Sequence, residues 1–184
     1  AAIKDYRRAV SMAPQTPELH YNLALGLFDK LELSEAIIVL KLSIALRPDY
    51  VKALILLGRC LAGTQQYADA LNTLTKSTRL EPANQTAHYR LGRFHIHRGN
   101  ADNARESLET ALKINPQLSP AREALILNSI YSGEQQGTTN LIQSTLKSLP
   151  NDESLIAIGT DWAIETAQGD PYAYYQAAWR SHPT

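Results

Sequence analysis

Prolines stand at positions 14, 48, 82, 116 and 150, each 34 residues after the last. Proline ends helices, so a chain that spaces it this evenly is constrained to fold as copies of one short unit. Other residues keep the same frame. Twelve residues before four of these prolines lie Ala2, Ala36, Ala70 and Ala104, and five before them lie Ala9, Ser43, Ser77 and Ala111. Between the two small sites fall Tyr6, Leu40, Leu74 and Leu108. Steps of four and three put the three sites on one stripe of a helix, small where a neighbouring helix must come close.

An upstream helix recurs as well. Leu23-Ala24, Leu57-Gly58 and Leu91-Gly92 are preceded three residues earlier by His20, Leu54 and His88, and followed by Leu27, Leu61 and His95. Thr16-Pro17 and Ser119-Pro120 place a hydroxyl before a proline suited to a first helical turn, and Asp49 and Asn84 are further cap candidates. Gly99-Asn100 and Gly133 supply turns between the helices. No segment alternates as a strand would.

These residues resemble the tetratricopeptide repeat pattern W-x2-L-G-x2-Y followed by a second helix with spaced alanines. The resemblance implies an all-α fold, a right-handed α-solenoid of antiparallel helix hairpins, as a single solenoid over 1–184. Residues 1–16 read as the second helix of a truncated repeat or a cap, with a longer parent array as the expectation. Well-fitting repeats cover 17–50, 51–84 and 85–118. Residues 119–151 form a degenerate repeat, with Thr138 and Thr145 at the alanine sites and Ile126 at the glycine site. Its polar run 132–140 reads as a loop. The fifth repeat, 152–184, rests on Leu155, Ile158, Gly159 and Trp162, then Tyr175, Ala178 and Pro183, with Pro171 at its alanine site.

Composition removes several functions. Eighteen basic and eighteen acidic residues cancel, so no global field draws nucleic acid or anionic lipid. The longest apolar runs fall far short of the roughly 20 residues that cross a bilayer, which argues against membrane insertion. Cys60 is the sole cysteine and excludes an internal disulfide. His95-Ile96-His97 is no chelate, because helical neighbours two apart face away from each other. Asn84-Gln85-Thr86 is a glycosylation triplet only for a secreted eukaryotic chain. No phosphate loop, nucleophile elbow or cofactor motif appears, so neither an enzyme nor a cofactor is expected.

Function then lies on the surface. The resemblance implies a concave face lined by first helices, and there Tyr21, Leu25 and Phe28 form an apolar patch while Arg59 and Arg93, one repeat apart, stand with Tyr89 and His97 in a basic, aromatic one. Lys52 and Tyr131 extend the same face. Arginine and tyrosine are the types on which interfaces concentrate their energy. The alternative is that both arginines make ordinary ion pairs with Glu18, Asp29 or Glu123. The family's clamp for chaperone tails is missing, since only Ile55 with Arg59, and Arg90, stand at its slots.

The resulting expectation is a protein-interaction scaffold holding a peptide or subunit with acidic and apolar residues. By resemblance, such arrays serve bacterial envelope, pilus or polysaccharide-export assembly, in periplasm or cytoplasm. The competing expectation is a self-associating element, joined through residues 1–16, or a docking arm of a larger protein.

Overall fold

A computed structural model describes residues 2–166, and every regular element among them is helical. The helices are α1 (Ala2–Met12), α2 (Pro17–Asp29), α3 (Leu33–Leu46), α4 (Val51–Gly63), α5 (Tyr67–Leu80), α6 (Gln85–His97), α7 (Ala101–Ile114), α8 (Ser119–Tyr131), α9 (Gln135–Ser148) and α10 (Glu153–Thr166). Even-numbered helices begin at 17, 51, 85, 119 and 153, and α3, α5, α7 and α9 at 33, 67, 101 and 135. Both series step by 34 residues, the interval of the prolines. The second helix of the fifth repeat, with Pro171, Tyr175, Ala178 and Pro183, lies outside the described residues.

The chain forms two compact units, residues 1–94 and a second starting at His95. In the first, the small–large–small stripe is the core: Ala36, Leu40 and Ser43 on α3 and Ala70, Leu74 and Ser77 on α5 are at most 1% exposed. Ala36, Leu40, Ala70 and Leu74 pack in one cluster with Leu23, Leu27, Leu57 and Leu61 of the first helices. Burial of a leucine such as Leu40 stabilises by about 1.5–3 kcal/mol, so the stripe holds each hairpin shut. Close approach is needed at Gly58, where an added Cβ would meet Leu74 Cγ at 2.6 Å.

In the second unit, Ala104, Leu108 and Ala111 of α7 continue the stripe, and Thr138, Ile142 and Thr145 of α9 complete it without exposure. The degenerate repeat therefore keeps its packing with hydroxyl residues in alanine sites. The Thr138 hydroxyl bonds Ser129 Oγ at 2.8 Å, which satisfies both buried groups. The core here is Ile126, Ile142, Leu146, Leu155, Ile156 and Trp162.

Two local expectations are corrected. The polar run 132–140 is a loop only at 132–134; α9 begins at Gln135. Gly133, at φ 76°, closes the turn in a few residues, and Thr138 is already needed in the core stripe. Of the proposed caps, only Asn84 acts as one, its Oδ1 accepting from the Ala87 N–H at 3.0 Å. Thr16 makes no side-chain cap, and α4 starts after Tyr50 rather than from Asp49. Ser119 lies inside α8, and its hydroxyl donates to Asp152. Asp152 in turn caps α10, accepting from the Leu155 N–H at 3.1 Å.

Candidate partner-binding surface

The proline turns also set the first helices in place. His20 Nε2 donates to the Pro14 carbonyl at 2.8 Å, His88 Nε2 to the Pro82 carbonyl at 3.0 Å, and Arg122 uses Nε and an Nη on the Pro116 carbonyl. A carbonyl only accepts, so both imidazoles carry their proton on Nε2. The recurring histidines are thus clasps between the turn and the helix that follows it, which leaves the other faces of α2, α4 and α6 to meet a partner.

On those faces the first unit gathers a basic, aromatic cluster. Arg59 lies over the Phe28 ring, its Cζ 4.2 Å from the centroid. Arg93 donates to the Tyr89 hydroxyl at 3.1 Å, and Arg90 sits 5.0 Å from the centroid of the same ring. Burial first, and then the charges of Arg59 and Arg93, hold the Arg90 guanidinium below its ordinary pKa, while Tyr89 acts the other way. Arg90 Nε is buried without a hydrogen bond.

None of these three arginines makes an ion pair among the described residues. The ordinary pairing open to them in the sequence therefore does not form there: Glu18 is taken by Arg47, whose proximity, after the backbone hydrogen bond at Glu18, lowers the glutamate pKa. Arg90 is the member of the cluster that sequence reasoning misses, because its slot in the repeat bears only on the chaperone-tail clamp.

Towards the N-terminal ends of the same helices lies a depression of about 450 Å³, lined in part by Tyr21, Lys52, Ile55 and Thr86. Tyr21 and Tyr50 meet there with ring centroids 5.4 Å apart, tilted by 52°. Leu25 and Phe28 are half-buried against the unit's core, so only their outer edges contribute to the surface.

Residues 62–126 match the family model described as tetratricopeptide repeat, and helices α2 to α10 keep a 34-residue step across the described chain. That stretch is tetratricopeptide repeat. No curated protein matches the sequence. Among solved structures, it is similar to YrrB, described as a TPR protein with an unusual peptide-binding site, at 16% identity over 99% of this chain and 94% of that one, with a TM-score of 0.68. TTC0263, a thermophilic TPR protein of Thermus thermophilus, shares 22% identity over 88% and 89% of the two chains at a TM-score of 0.73. The pilF protein of Pseudomonas aeruginosa shares 17% over 91% and 77% at 0.75. At these identities the likeness is one of fold.

The remaining candidates belong to the second unit. His97 and Tyr131 line a separate depression of about 490 Å³ with Asn128 and Ile96. Tyr131 is 77% exposed. Asn128 is fixed there by donating to the Ala101 carbonyl at 3.0 Å. Among the described residues no three of His, Cys, Asp and Glu come together as metal ligands, and no helix is long and apolar enough to cross a membrane. Cys60 is buried, which pushes its thiol up to about 11 and leaves it an inert core residue at neutral pH.

Proposed function

We propose that the chain is a non-catalytic scaffold that binds an acidic peptide segment on the face formed by α2, α4 and α6. One observation carries this reading: Arg59, Arg90 and Arg93 are gathered together and none of them makes an ion pair among the described residues, and burial adds to the cost at Arg90. Gathered like charges cost free energy unless a ligand of opposite sign offsets it. Guanidinium groups held on aromatic rings are pre-ordered for forked hydrogen bonds to carboxylates, which favours them over lysine in that role. The description of YrrB as peptide-binding supports the same class of partner. By family resemblance alone, we propose as its setting a larger bacterial envelope, pilus or polysaccharide-export assembly.

A peptide-display selection on the purified protein tests the proposal. Enriched sequences should be rich in Asp and Glu, and the Arg59→Ala/Arg93→Ala double variant should bind them at least about tenfold more weakly with unchanged helicity. Selected peptides without acidic residues, or with equal affinity for the double variant, would overturn it.

Self-association is a second reading, favoured by an apolar stripe on α3 where Ile38, Leu42 and Leu46 are 62%, 51% and 37% exposed. A monomer in sedimentation at high concentration counts against it.

A further inference from the structure

Three helices of the first unit repeat one spacing. Tyr21 and Phe28 on α2, Lys52 and Arg59 on α4, and Thr86 and Arg93 on α6 are each seven residues apart. Seven residues make nearly two helical turns, so the members of each pair share a face and lie about 10 Å apart along the axis. The first members all line the depression that holds the Tyr21–Tyr50 ring pair. The second members build the arginine cluster.

The two ends differ in chemistry. At the depression, Glu18 is neutralised by Arg47, and Ile55, 7% exposed, gives the lining an apolar element beside the two tyrosine rings. Its volume suits a bulky side chain. At the other end the three arginines have no ion-pair partner among the described residues, so a ligand carboxylate suits that end.

We propose that the depression and the arginine cluster are two halves of one peptide site, whose ligand carries an aromatic or large apolar side chain and an acidic side chain three residues apart. This rests on the acidic-peptide reading above and specifies it. The spacing follows from geometry. In an extended left-handed polyproline conformation, three residues advance about 9 Å and return the side chain to the same side. In a β-strand, residues three apart face opposite ways and cannot both reach the surface.

The test uses fluorescent ten-residue peptides with one Trp and one Glu, in both orders, at separations of one to six in a neutral proline-rich host. On the wild-type chain, affinity should peak at a separation of three, about tenfold above the Glu-only peptide. Thr86→Trp, which fills the depression from its exposed rim, should remove that gain and leave Glu-only affinity intact. Arg59→Ala/Arg93→Ala should weaken every Glu-bearing peptide. A flat or shifted separation profile, with sensitivity to the double substitution retained, overturns the two-part site and leaves the acidic-peptide reading standing. Affinity that does not depend on Glu overturns both.

Discussion

Leu31 and Gln65 hold left-handed backbone, with φ of 61° and 63°, at the hairpin turns where later repeats have Gly99 and Gly133. A side chain in this region costs roughly 1–2 kcal/mol, and Leu31 recovers nothing by packing because it is 80% exposed. Leu31→Gly should therefore stabilise the protein by about 0.5–1 kcal/mol, the relief being partly offset by glycine's greater freedom when unfolded, read as a higher urea midpoint. Only the two glycine turns advertise themselves in sequence. The others become visible once the backbone is known, since nothing about Leu or Gln marks a left-handed site. The two threonines of the degenerate repeat make a similar point. Both occupy alanine sites, but Thr138 shares its hydroxyl with Ser129 while Thr145 Oγ1 is buried without a hydrogen bond. Thr145→Val should stabilise by about 1 kcal/mol, and Thr138→Ala should destabilise by about 1–2 kcal/mol by orphaning Ser129. Equal effects of the two in urea unfolding would contradict this contrast.

At the scale of the helix, the 34-residue frame is legible because it is written three times over, in prolines, in small residues and in the leucines between them. Helix ends are less so. A hydroxyl or carboxylate before a helix is a cap only if the turn aims it at the first N–H groups, and at α2 and α8 the turn does not. Asn84→Ala should cost about 1 kcal/mol, since it removes the acceptor for the Ala87 N–H, whereas Thr16→Ala should change stability by less than about 0.5 kcal/mol. Thermal melts of the two variants separate true cap from apparent one. The loop expected at 132–140 fails for a related reason. Polar residues on an exposed first turn of a helix look like loop, and only Thr138 in register with the stripe shows otherwise. The arginine cluster is half legible: period places Arg59 beside Arg93, but Arg90 joins them through the rotation of α6, which a repeat frame does not display.

Across the whole molecule the formal charge is zero, so neither stability nor binding is dominated by a net field. Acid sensitivity must come from particular groups. His95 is buried, which lowers its pKa, with Glu106 acting in the opposite direction. The unfolded chain then takes up the proton first, so stability falls as pH drops through about 6.5 and the loss levels off below the folded value. His95→Tyr, which installs the family's residue at that site, should flatten the change in urea midpoint between pH 7.5 and 5.5. The same neutrality shapes how a partner is met. With no long-range attraction to steer an acidic peptide, the arginine cluster acts only within about a Debye length, and its work appears after encounter. Raising salt from 0.05 to 0.5 M should weaken a selected acidic peptide by about tenfold, mostly through faster dissociation, while Arg59→Ala/Arg93→Ala should show little salt dependence. Stopped-flow binding at the two salt concentrations measures both rates. A salt effect confined to the association rate, or equal in the double variant, would place the charge that matters elsewhere than on Arg59, Arg90 and Arg93.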